Sequence, residues 1–167
     1  MCIRDSINAG FTVETYPYYD AAKRGINFEG FIAALQAAEA GTVVVLHACC
    51  HNPTGYDITP EQWDLVVAAV KERQLVAFLD MAYQGFGDGI AEDAFSVRLF
   101  AESGLEFFVS SSFSKSFSLY GERVGALSIV TASKDESTRV QSQVKRVIRT
   151  TYSNPPTHGA TIVATVL

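Results

Sequence analysis

The chain has 167 residues, 48% of them hydrophobic and 19% charged, which suits one domain with a sizeable core and not a disordered segment. A net charge of −5 argues against nucleic acid as a partner. No apolar run approaches the ~18 residues of a bilayer span, and "MCIRDSINAGF" lacks the apolar core and cleavage site of a signal peptide. Three irregularly placed cysteines make no disulfide framework, so a reducing cytoplasm is expected.

In chain order, "FTVETYPYY" (11–19) alternates weakly and predicts a strand entering a loop. Asn27 caps a helix over "FEGFIAALQAAEA", with Gly41 as its stop. "TVVVLHA" (42–48) is a continuous β-branched run, the pattern of a strand buried on both faces. Thr59-Pro60-Glu61-Gln62 reads as a capping box with proline at the first helical position, and Trp63, Val66, Val67 and Val70 share one face of the helix that follows. "LVAFLD" (75–80) is a second buried strand. A helix over about 93–103 is stopped by Gly104. "EFFVSSS" and "VGALSIV" (124–130) supply a third and a fourth strand. Ser133 and Glu136 make a second capping box, opening a long helix with Val140, Val144, Val147 and Ile148 along it. This alternation predicts an α/β fold, a mostly parallel sheet flanked by helices. "ATIVATVL" ends inside an apparent helix with no C-cap, and "MCIRDS" fits nothing that follows. Residues 1–6 are therefore expected to be a non-native flank and 7–167 a partial domain.

In an open parallel sheet, ligands bind beyond the carboxyl ends of the strands. The polar oddities collect there: His51-Asn52-Pro53-Thr54-Gly55 after one strand, Asp80 and Tyr83 after the next, and serines with Lys115 after the third. Singly, each has an ordinary reading. Asp80 can cap a helix, Asn52 can form a turn, Tyr83 can anchor a loop and Lys115 can be a solvated surface lysine. Together they bring an amide, a carboxylate, a phenol and an amine to one rim. "HACCH" (47–51) looks like a metal cluster, but adjacent cysteines in an extended strand face opposite ways and no second pair follows, so no metal is expected. His47 and His51 read as partners behind the site or as satisfied core histidines.

"HNPTG", "LDMAYQGFGDG", "SFSKSFSLYGERVG" and "YSNPPTHGA" resemble the aspartate/aromatic amino-acid aminotransferases, pyridoxal-phosphate enzymes of the aspartate aminotransferase fold. The resemblance runs from about residue 7 to 167 and covers mainly the large cofactor-binding domain. It implies that Lys115 forms a Schiff base with pyridoxal 5′-phosphate and later shuttles a proton. Both tasks need a neutral amine. It implies that Asp80 pairs with the pyridine nitrogen, and that Tyr83 and Asn52 hydrogen-bond the ring's phenolic oxygen. It implies that Ser112, Ser114 and Arg123 bind the phosphate dianion through short donors and a bidentate guanidinium. It implies that Arg149 reaches into the neighbouring subunit of a homodimer to meet the distal carboxylate of the substrate; without the resemblance it reads as a helix-end arginine.

The family's upstream phosphate-binding loop, its ring-stacking aromatic and its downstream α-carboxylate arginine are absent from this sequence. The resemblance implies amino transfer from aspartate or an aromatic amino acid to 2-oxoglutarate by a ping-pong route, with the chain alone inactive. The other readings are a lyase or decarboxylase using the same cofactor, or a non-catalytic α/β module.

Overall fold

The computed structural model describes residues 3–167. Met1 and Cys2, the start of the segment expected to be a flank, lie outside the described residues, and Ile3–Asn8 forms a short helix, α1, with no buried residue. The strand expected over 11–19 does not form. Only Tyr19–Asp20 (β1) pairs, antiparallel with Gly25–Ile26 (β2). Pro17 interrupts the run and lacks the N–H a ladder needs, and the tyrosines on either side of it serve tertiary contacts. Tyr16 tilts against Phe31 with ring centroids 4.9 Å apart and donates its hydroxyl to the Val45 carbonyl at 2.6 Å. That phenol is half-buried, and its loss of solvent pushes its pKa up to about 12.

Phe28–Ala37 (α2) is capped by Asn27, whose side chain accepts from the Gly30 N–H at 3.1 Å. The helix ends a turn before Gly41, because Ala38 is already extended at φ −63°, ψ 145°. The Arg73 guanidinium donates to the Ala38 carbonyl at 3.0 Å, taking up one of the acceptors this early end exposes. Pro60–Glu72 (α3) opens with the expected box: the Thr59 N–H donates to Gln62 Oε1 at 2.9 Å and the Gln62 N–H to Thr59 Oγ1 at 3.3 Å. Phe95–Glu102 (α4) starts later than expected, since Asp93 is committed to the preceding loop.

Val43–His47 (β3), Val76–Met81 (β4), Phe107–Ser112 (β5) and Gly125–Val130 (β6) form one sheet in that order. β3–β4 and β4–β5 are parallel and β5–β6 is antiparallel, so the sheet is mixed. Period two splits it into two faces. Val44, Leu46, Ala77, Leu79, Phe107 and Val109 are buried in a core with residues of α2, α3 and α4. The other face, with Val45, Phe78 and Phe108, is half-buried, which corrects the expectation of strands buried on both sides. An unbroken β-branched run fits either arrangement.

Lys134–Thr151 (α5) is capped by the Ser133 hydroxyl, which accepts from the Glu136 N–H at 3.2 Å. The second capping box is only half made: the Glu136 carboxylate accepts from the Ala132 N–H at 3.1 Å instead. α5 buries no residue, and Val140 and Val144 line an open groove of about 630 Å³ with Phe108 and Ile129. His158–Val166 (α6) closes the chain.

Candidate active site

Parallel β3, β4 and β5 end on one rim, and antiparallel β6 begins there. The 113–124 connection, which holds Lys115 and Arg123, therefore stays on that rim. The registers His47↔Asp80 and Asp80↔Ser110 put three polar residues in one row across the sheet, on the half-buried face. The Ser110 hydroxyl donates to Asp80 Oδ1 at 2.7 Å. His47 receives the Asn52 N–H on Nδ1 at 3.2 Å, so the neutral ring carries its proton on Nε2. Burial lowers the His47 pKa and the Asp80 charge opposes that only in part, which keeps the ring neutral at neutral pH.

The loop after β3 is built around Asp57. Its carboxylate accepts the Cys50 N–H at 2.6 Å and the His51 N–H at 2.7 Å, and His51 Nδ1 pairs with Thr54 Oγ1 at 2.8 Å. His51 stacks on Tyr18 at 3.9 Å and tilts against His47 at 4.5 Å, backing the His47–Asp80 row with aromatic surface. Burial also lowers the His51 pKa, and the neighbouring His47 adds to the effect. Asn52 stands exposed at the tip of this loop.

Lys115 Nζ lies 4.6 Å from the centroid of the Tyr83 ring, so amine and phenol meet as expected. Ser114 is buried and its N–H donates to Ser112 Oγ at 3.3 Å, which leaves the Ser112 hydroxyl proton for another acceptor. Arg123 is exposed, adopts φ 55° and donates to the Tyr120 carbonyl at 3.1 Å. Its loop is held by α6: a Cβ on Gly159 would lie 2.4 Å from Val124 Cγ2 and 2.7 Å from Glu122 Cβ. His158 Nδ1 meets Glu122 Oε2 at 2.8 Å beside that contact. This packing is the physical link between "YSNPPTHGA" and "GERVG". Arg149 stands exposed in the last turn of α5, and its guanidinium hydrogen-bonds the Ser153 hydroxyl. The structure thus pairs Lys115 with Tyr83 and Ser112 with Ser114 on the rim that carries Asp80, joins the Asn52 backbone to His47 in the Asp80 row, and leaves Arg123 bonded within its own loop. Arg149 remains apart.

The sequence reading missed Ser110 as the donor to Asp80. It also misjudged the cysteine pair. Cys49 and Cys50 lie beyond the end of β3, and Cys50 takes the left-handed φ of 50°, so the thiols do not face opposite ways. Both sulfurs and an Asp93 carboxylate oxygen lie within 4.8 Å of one another. Burial pushes both thiol pKa values up, which keeps them protonated and makes them poor metal ligands. Asp93 is buried, which works to raise its pKa, but the N–H groups of Gly87, Asp88 and Gly85 outweigh that and hold it low. No ion is assigned there.

The donor set on this rim suits pyridoxal phosphate. It offers an amine for an aldehyde, a carboxylate for a ring nitrogen, a phenol and an amide for a phenolate, and hydroxyls with a guanidinium for a dianion. Comparison with known proteins agrees. A family model described as aminotransferase class I and II matches residues 1–167. The aspartate aminotransferase of Pseudomonas aeruginosa is 67% identical over 159 residues, which is 95% of this chain and 40% of the relative. The aromatic-amino-acid aminotransferase of Escherichia coli is 52% identical over the same shares. A crystal structure of the Burkholderia pseudomallei aromatic-amino-acid aminotransferase, covalently bound to pyridoxal phosphate, superposes with a TM-score of 0.94 at 68% identity. It covers 96% of this chain and 40% of that one. The chain spans about 40% of the length of the relatives it matches, and it belongs to the class I and II aminotransferases.

Proposed function

We propose that the chain is the cofactor-holding part of a transaminase that binds pyridoxal phosphate and moves the amino group of aspartate or an aromatic amino acid to 2-oxoglutarate by a ping-pong route. The observation that carries this reading is Lys115 Nζ set 4.6 Å over the Tyr83 ring, on the rim where Ser110 holds Asp80. When bound, pyridoxal phosphate supplies an electrophilic aldehyde and an electron-accepting ring. Lys115 anchors the aldehyde carbon and takes the proton from the substrate Cα. Asp80 keeps a proton on the ring nitrogen, and the hydroxyl of Ser110 orients its carboxylate. Tyr83 and Asn52 direct donors at the ring's phenolic oxygen. Ser112, Ser114 and Arg123 hold the phosphate. We place the protein in a reducing cytoplasm, as a homodimer in which each Arg149 serves the other subunit's site.

Incubation with pyridoxal phosphate, borohydride reduction and peptide mapping test the reading. Label concentrated on Lys115 is expected. Label spread evenly over Lys23, Lys71, Lys134 and Lys145 overturns it. In the full-length enzyme, Lys115→Ala is expected to cut turnover by roughly 10²–10⁴-fold, the range for loss of a positioned proton-transfer group. A loss under tenfold removes Lys115 from the mechanism.

A further inference from the structure

The proposed chemistry makes no use of the adjacent thiols behind the site. We propose that Cys49 and Cys50 form a vicinal-dithiol site for trivalent arsenicals, in which both sulfurs bind one arsenic atom. Neighbouring cysteines in an extended strand cannot do this, because their side chains alternate. Here the left-handed Cys50 backbone brings the two sulfurs to one side, within 4.8 Å of each other and of Asp93. Cys49 is 8% exposed, while Cys50 is half-buried and provides the entrance. The Cys50 thiol donates to the Tyr83 carbonyl at 3.6 Å, a contact weak enough to give way when the side chain turns.

The surroundings favour an arsenical over a divalent cation. A cation such as zinc takes thiolates, whereas burial keeps both thiols protonated here. The third possible ligand, Asp93, already accepts from Gly85, Gly87 and Asp88 at 2.7, 3.0 and 2.9 Å. An arsenoxide reacts with neutral thiols. Two As–S bonds form, the arsenic–oxygen bond breaks and the two thiol protons leave with the oxygen as water. Arsenic stays trivalent, so no oxidant or reductant is needed.

The probe is phenylarsine oxide, added to the chain in native buffer and read by intact mass. One arsenical per chain is expected, retained against excess 2-mercaptoethanol and released by 2,3-dimercaptopropanol. Cys50→Ser is expected to lower the monothiol-resistant fraction at least tenfold, and Cys2→Ser to leave it unchanged. Cys49→Ser removes a buried group, so Cys50→Ser, checked for native circular dichroism, carries the test. A wild-type chain without the resistant adduct overturns the proposal. So does retention of the adduct in Cys50→Ser, or its loss in Cys2→Ser.

Discussion

From Phe28 to Ser112 each strand buries alternate residues under a helix layer, and Phe31, Phe100 and Phe107 have essentially no exposed surface. From Gly125 onward the same kinds of element bury almost nothing. β6 exposes its first four residues, α5 buries none, and Leu127, Val147 and Val166 are 54%, 62% and 81% exposed. Yet α5 carries an apolar stripe as regular as that of α3. The difference is one of partners. α3 docks on α2 and α4, with Trp63 set edge-on to Phe100 at 6.2 Å, while α5 overhangs an open groove above Phe108 and Ile129. Periodicity therefore reports the capacity to pack, and neighbouring chain decides whether that capacity is used. The candidate site lies on the seam. The closed half supplies Asp80, Tyr83 and the Asn52 loop, the 113–124 connection between the halves supplies Lys115 and Arg123, and Arg149 stands apart on the open half.

Stability should show the same asymmetry. Phe100→Ala empties a fully buried position and is expected to cost about 3–5 kcal/mol in denaturant unfolding. Val147→Ala on α5 should stay within about 0.5 kcal/mol. Equal effects would erase the distinction between the halves.

Function should show the reverse, with an exposed residue mattering greatly. Removing one partner of a sheltered guanidinium–carboxylate pair costs on the order of 2–5 kcal/mol. Full-length Arg149→Leu is thus expected to lower kcat/KM for aspartate by roughly 30- to 3,000-fold. Phenylalanine brings no distal carboxylate, so its value should fall far less. An unchanged ratio of the two constants would return Arg149 to the helix-end role of its Ser153 contact.

The elements and most of the rim were legible because they are written locally. Thr59 through Gln62 spell a cap, Asp80 lies at the end of a recognisable strand and Lys115 follows another. What stayed hidden depends on register and long-range contact. Ser110 meets Asp80 only because β4 and β5 pair at that offset, and a slip of one residue would turn its hydroxyl to the other face. Likewise nothing near "HACCH" announces Asp93, which arrives through a loop folded on three backbone N–H groups. Pro17 was visible and should have demoted the strand expected over 11–19.

Ser110 sharpens the seam further. A hydrogen bond to a charged acceptor contributes about 1.5–3 kcal/mol, and partial exposure puts this one near the lower end. Ser110→Ala should lower unfolding free energy by about that much and reduce kcat more than KM in the full-length enzyme, while Ser110→Thr keeps most of both. Equal behaviour of the Ala and Thr variants would leave the hydroxyl without a role.

The smallest expected effect is a pH dependence confined to the closed half. His47 and His51 both have pKa values lowered mainly by burial, and the neighbouring His47 lowers that of His51 further. Below about pH 6.5 the unfolded imidazoles take up protons that the folded ones refuse. The unfolded state then binds more protons, so stability falls as pH drops from about 7 toward 5. His47→Gln removes one of the two groups and should reduce this loss, by less than about 1 kcal/mol over the interval. It also relieves His51 of its neighbour. The double variant His47→Gln/His51→Gln should therefore flatten the profile further than the single one. The check is denaturant unfolding of wild type and both variants at pH 5, 6 and 7. A wild-type stability that rises on acidification would mean that the pair is charged in the fold, and it would remove the neutral His47 ring set beside Asp80.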